Sequence, residues 1–334
     1  MLCDCRSFRS PRDLRAKVAD AGLVRVTGTW DFKWTPGTNI RVAIQDLPEG
    51  ERRVDLKAAR GHLQAALEAW IPSQGPGPKL SWTLLPDFLA GPAEPKVARS
   101  DPNRLAERPY VEHDVLVSFA PLPATIPATS EHPAREVNFP RSELGTYARR
   151  TEYGVPTLFL GPHEGFKLLD PSGTVLNFEE VAAKWLDSAE GRFTVIHEVG
   201  HVLGLAHEQQ NRTLQGELEY RPIEEMREIA KRRNARTPPD AELDAFIHSE
   251  IIDPWPGDTR FSDWREPPVV QGGVADFDSV MAKPVYRCFL AAPHREDFDC
   301  KELDVCPFEQ AEFERLDKPT ASDLKQLARM YGRR

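Results

Sequence analysis

His197-Glu198-Val199-Gly200-His201-Val202-Leu203-Gly204-Leu205-Ala206-His207 is the stretch that decides how this chain is read. It fits H-E-x-x-H-x-x-G-x-x-H. At about 5% per fixed residue, a chance fit in a chain this long is on the order of one in ten thousand. His197 and His201 are four apart. On a helix they lie on one face a turn apart, so both imidazoles can reach one ion. Gly204 predicts the end of that helix, because glycine tolerates the left-handed backbone that turns the chain sharply. The turn brings His207 back toward the same ion. Three histidines that leave a fourth position open are the ligand set of a catalytic zinc. Glu198, beside the first ligand, is placed to accept a proton from the water that zinc activates rather than to bind metal. The plainer alternative is an amphipathic helix with no metal. Phe193, Ile196, Val199, Val202 and Leu203 do form an apolar stripe, so the helix is expected to be partly core. Gly204 and His207 are what a plain amphipathic helix leaves unexplained.

The chain has 334 residues, a formal net charge of −9 and 40% hydrophobic residues. That suits one large globular domain or two closely fused ones. The acidic balance argues against nucleic acid as a partner, and Lys231-Arg232-Arg233 is expected to be a solvated helix face. No apolar run is long enough to cross a membrane. Residues 1 to 9 lack the apolar core of a secretory signal. The chain is then intracellular, exported by another route, or not a full precursor. Five cysteines cannot all pair within one chain. Cys288, Cys300 and Cys306 cluster late and admit either one disulfide or reduced thiols. Cys3 and Cys5 lack zinc-finger spacing; a thiol reaching the catalytic zinc as an inhibitory ligand stays open.

Around the motif, Arg12 to Ala21 reads as a short helix, and the core is expected to begin near Thr27-Gly28-Thr29-Trp30. Ile40, Val42 and Ile44 alternate as in a half-buried strand. Asp55 opens a helix with Leu56, Ala59, Leu63, Leu67 and Trp70 on one face. Pro72 and Gly75-Pro76-Gly77-Pro78 end it. Leu80 to Leu85 and Val115 to Phe119 read as strands, Pro86 to Arg108 as a surface insertion, and Ala120 to Pro140 as a proline-rich loop. Leu144 to Ala148 and Thr157 to Leu160 are weaker strand candidates. The motif helix is expected from about Glu190 to Leu203. Helical, charged sequence follows His207. Thr320-Ala321-Ser322-Asp323 opens a last helix, with Asp in place of the Glu or Gln of a standard capping box. Leu324, Leu327, Ala328 and Tyr331 form its apolar face. This order predicts an α+β fold: a twisted mixed sheet packed on two helices, an active-site helix under the cleft, and a mainly helical C-terminal subdomain. The expected division is an extension over 1–22 and a catalytic domain over 23–334, split into an upper part 23–204 and a lower part 205–334.

These residues resemble the metzincin zinc peptidases, and among them the astacin-type endopeptidases of bacteria and fungi. Glu208 directly follows the third histidine, as an acidic residue does in astacins. Asp276-Phe277-Asp278-Ser279-Val280-Met281 is similar to the lead-in of their Met-turn. The segment Leu327-Ala328-Arg329-Met330-Tyr331 is similar to the end of their final helix. The resemblance covers roughly residues 27 to 332. It implies that Met281 lies under the three histidines without touching the metal. It also implies that Leu144–Ala148 or Thr157–Leu160 is the edge strand that pairs with an extended peptide or protein substrate. The chain departs from the pattern after the Met-turn, where Ala282 and Lys283 stand in place of His-Tyr. Tyr286, three positions on, could take over that tyrosine's part as a further zinc ligand or oxyanion stabiliser, and Lys283 could offer charge instead. In astacins the acidic residue at the position of Glu208 pairs with a processed N-terminus; here Glu208 could meet an Arg or Lys.

The implied function is a zinc-dependent endopeptidase, with one Zn2+ on His197, His201 and His207 and Glu198 as general base and acid. Two alternatives remain: a zinc-holding protein of the same fold with weak or no catalysis, and a latent enzyme blocked by residues 1 to 22. Extracellular location is common in the resembled family.

Overall fold

The protein is described by a computed structural model, over residues 34–47, 54–90, 113–122, 124–126, 135–137, 141–142, 156–162, 184–205, 207, 219–233, 239–252, 279–282, 289 and 316–334. Strand β1 (Asn39–Asp46) buries Ile40, Val42 and Ile44, the expected alternation, with Ala43 buried as well. Helix α1 (Leu56–Trp70) follows. Asp55 caps it, accepting a hydrogen bond from the Lys57 amide. Its buried face is Leu56, Ala59, Leu63, Ala66, Leu67 and Trp70. Each large apolar side chain so buried contributes about 1.5–3 kcal/mol.

Strand β2 (Ser81–Ala90) runs parallel to β1, so β1, α1 and β2 form a crossover unit. β2 continues through Pro86 as far as Ala90, into the stretch expected to be a surface insertion. The register shifts between Val42 and Ile44, which face Leu84 and Phe88. Pro86 falls in that shift on a strand at the sheet's border, where a missing N–H costs no ladder bond. Strand β3 (Val115–Ser118) is buried at all four residues, as a strand covered on both faces must be.

A small antiparallel pair, β4 (Ala124–Ile126) and β5 (Arg135–Val137), stands apart from the main sheet, inside the stretch expected to be loop. Strands β6 (Arg141–Ser142) and β7 (Leu158–Phe159) complete the five-stranded sheet, in the order β2-β1-β3-β7-β6. β7 is parallel to β3, whereas β6 is antiparallel to β7. The sheet is therefore mixed but parallel through its centre, which gives this part of the fold an α/β character rather than a segregated α+β one. Thr157–Leu160 is not the edge: β7 lies inside the sheet, paired on both sides. Among the described residues the edge on this side is β6. Leu144–Ala148 lies outside them, as do residues 1–33 with the expected Arg12–Ala21 helix and core start near Thr27.

A 3-10 turn (Trp185–Asp187) leads into helix α2 (Ala189–Val202), capped by Ser188 on the Gly191 amide. The apolar stripe expected here is broader than a stripe. Every residue from Phe193 to Val202 is buried, polar ones included. α1 packs on one side of α2 and β6 lies against it.

Beyond the motif come α3 (Ile223–Arg233) and α4 (Asp240–Ile247), the latter continued by a π turn (His248–Ile252). Arg227 holds Asp244 with two hydrogen bonds of 2.8 and 2.7 Å. Lys231, expected on a solvated face, is pinned between Glu228 and Asp240 at 3.0 and 2.9 Å. The last helix, α5 (Ala321–Tyr331), carries a complete capping box in which Asp323 does the work of the usual Glu or Gln. After it, Gly332 and Arg334 pair with Lys79 and Gly77. Among the described residues no helix is long and apolar enough to cross a membrane.

Candidate metal centre

The centre is built on the end of α2. A helix leaves its last carbonyls without intrahelical partners, and buried carbonyls must find donors. Here each does. The amides of Leu203, Leu205 and Gly204 serve Val199, Gly200 and His201. The last two of these bonds form a Schellman turn, with Gly204 at φ 92° in its left-handed position. The Trp34 indole donates to Val202 at 2.8 Å, and the Tyr331 hydroxyl to Leu203 at 2.6 Å. One turn earlier the Trp70 indole donates to Ile196, also at 2.8 Å. The histidine-bearing helix is thus held by side chains from the segment before β1, from α1 and from α5.

His197, His201 and His207 converge, and all three are buried. Their Nε2 atoms form a triangle of 3.1, 3.2 and 3.3 Å. The His197 and His207 rings are roughly stacked, and His201 stands edge-on to both. The Nδ1 atom of His197 meets the Val280 carbonyl at 2.7 Å, and that of His201 meets the Leu205 carbonyl at 2.7 Å. A carbonyl only accepts, so in both rings Nδ1 carries the proton. In the neutral rings the Nε2 atoms then present lone pairs, which face each other at 3.1 Å. Such an arrangement repels itself unless a cation lies between the lone pairs. Nitrogens about 2.0–2.1 Å from a tetrahedral zinc sit about 3.3–3.4 Å apart, close to the spacing found. The donor set fits a divalent, imidazole-preferring metal.

Glu198 is fully buried beside His197. Met281 sits in a turn, Ser279 to Ala282, closed by the Ala282 amide on the Ser279 carbonyl. It packs its sulfur on Gly200, between the two helical histidines. Tyr286, Lys283 and Glu208 lie outside the described residues, as do all five cysteines.

No family model matches this chain, and no curated protein does. Solved structures that match include two of myroilysin. One has a TM-score of 0.45 at 14% identity, covering 91% of this chain and 97% of that one. The other has a TM-score of 0.39 at 14% identity, covering 90% and 86%. What the centre can do follows from its own donor atoms.

Several residues of the site are missed by motif reading. Val280 and Leu205 act through backbone carbonyls, which carry no sequence signature. Trp70 reads as core, Trp34 carries no signal of its own, and their N–H groups find their partners only in three dimensions. Asp323 does carry a signal. It is a short acid at a helix start, where the standard cap prefers a longer one.

Proposed function

We propose that this chain is a zinc-dependent endopeptidase of the metzincin type, nearest the astacins. The observation that carries the reading is the triangle of Nε2 atoms, with two of its three lone pairs fixed by backbone carbonyls. His197, His201 and His207 would hold the ion. When bound, zinc supplies Lewis acidity: it lowers the pKa of water to about 7 and polarises a carbonyl. Glu198 takes the proton from the attacking water and passes it to the leaving amine. Its burial beside the first ligand keeps the carboxylate close to the reacting atoms and shielded from bulk water. Met281 forms the apolar floor. β6, which lies against α2 and is the edge on this side among the described residues, offers backbone groups to an extended peptide, so the substrate is a peptide or protein.

Ala282, buried directly after Met281, favours a second reading, because the resembled family has His-Tyr there. A protein of this fold could hold zinc with little or no catalysis. Zinc stoichiometry, together with cleavage of a quenched fluorescent peptide library with and without a chelator, separates the two. One zinc per chain and chelator-sensitive cleavage support the peptidase. One zinc without cleavage, also after removal of residues 1 to 22, supports the binding protein. A chain that takes up no zinc sinks both.

A further inference from the structure

The Met-turn is tied to α5 by one acid. Asp323 is 3% exposed, and a carboxylate so buried is tolerated only when its oxygens accept strong hydrogen bonds. Oδ1 accepts from the Ser279 hydroxyl at 2.6 Å, a short charge-assisted bond. Oδ2 accepts from the amides of Thr320 at 2.9 Å and Val280 at 3.3 Å. The bond from Thr320 is half of the helix cap. The other two leave the helix and enter the turn.

The bonds continue. Ser279 Oγ, which donates to Asp323, accepts from the Met281 amide at 3.0 Å. The peptide unit that supplies this N–H has Val280 O at its other end. That oxygen accepts from Nδ1 of His197 at 2.7 Å. His197, the Val280–Met281 peptide, Ser279 and Asp323 therefore form one line in which every hydrogen points toward the carboxylate. Bonds aligned this way polarise one another. The negative charge on Asp323 makes Ser279 Oγ a better acceptor, then Val280 O, and so raises the basicity of His197 Nε2. A carboxylate bonded directly to a metal-binding histidine has this effect, and losing such a partner weakens metal binding.

We propose that Asp323 is a positioning residue of the metal centre. It is the remote carboxylate of a relay through Ser279 and the Val280–Met281 peptide that orients His197 and strengthens it as a ligand. The inference rests on the metal site proposed above.

The test uses the full chain, zinc alone, and a chromophoric chelator as competitor. Asp323→Asn removes the charge. Ser279→Ala breaks the relay and leaves the helix cap in place. Thr320→Ala weakens the cap and leaves the relay in place. Asp323→Asn and Ser279→Ala should each weaken zinc binding roughly 10–100-fold. They should also alter the visible spectrum of the cobalt-substituted protein. Thr320→Ala should keep the wild-type affinity and spectrum while melting at a lower temperature. Wild-type affinity in both relay variants overturns the proposal. So does an equal loss in Thr320→Ala, which would mean that helix stability alone matters. If Asp323→Asn does not fold, Ser279→Ala decides. A wild-type chain that binds no zinc instead removes the underlying site, a result distinct from either.

Discussion

The sulfur of Met281 lies against the bare Cα of Gly200, in space that a Cβ there would need, and Trp70 Cζ2 would stand 2.8 Å from that Cβ. Glycine inside a helix costs about 0.5–1 kcal/mol relative to alanine. Here the absence of a side chain lets the Ser279–Ala282 turn approach the helix between its two histidines. Gly200→Ala should therefore destabilise the protein despite its better helix propensity, because overpacking costs about 1–3 kcal/mol. In urea denaturation the midpoint should fall with an unchanged slope. Adding Met281→Ala should relieve part of that loss, with a coupling of about 0.5–3 kcal/mol between the two sites. Strict additivity would show that the contact carries no energy.

Glu198→Gln keeps the size of the side chain and removes its ability to take a proton. The three imidazoles are untouched, so the variant should retain one zinc per chain. Peptide cleavage should fall by about 10²–10⁴-fold, the usual contribution of a positioned base. Undiminished cleavage would exclude Glu198 from the mechanism.

The local parts of this fold were legible because local rules govern them. Asp55 and the spacing of Leu56, Leu63 and Trp70 announce α1, and Gly204 announces the end of α2; the structure agrees at both. The histidine triad was legible for the same reason, since a helix period and one turn bring its members together. Pairing order was not. Thr157–Leu160 is too short for its pattern to distinguish an inner from an outer strand, and β6, two residues long, gives no pattern at all. Nor did alternation reveal that β2 runs on past Pro86, because a register shift absorbs the proline. The relay from His197 to Asp323 spans 126 positions of sequence and passes through a backbone peptide, so residue types alone could not trace it.

Tyr331 joins the last helix to the end of α2 through its bond to the Leu203 carbonyl. Tyr331→Phe keeps the ring and orphans a buried carbonyl, which should cost about 1–3 kcal/mol in denaturation of the metal-free protein. Burial pushes the phenol well above its ordinary range, with a smaller opposing effect from the Trp34 backbone. In an ultraviolet pH titration of the folded protein, one tyrosine that stays unionised past the normal transition near about pH 10 should vanish in this variant. A loss taken instead from the normal transition would mean that Tyr331 ionises like an exposed phenol.

His113, two residues before β3, is buried, and its Nε2 has no hydrogen-bond partner among the described residues. Burial lowers its pKa. Asp114 acts the other way, and Arg41, which forks onto Asp114, adds to the lowering. The folded pKa therefore lies below the unfolded value of about 6.5. Above that value both states hold a neutral ring, and the full stability is present. As pH falls below it, the unfolded chain takes up a proton that the folded chain does not, so stability is lost down to the folded pKa. The slope from this one group is at most about 1.4 kcal/mol per pH unit. His113→Leu removes the group. The test compares both proteins in chelator, so that neither carries metal. The wild type should lose stability relative to the variant as pH falls below about 6.5, and the gap should be constant well above that value. A gap that does not change across the whole range would show that His113 protonates as readily in the fold as outside it.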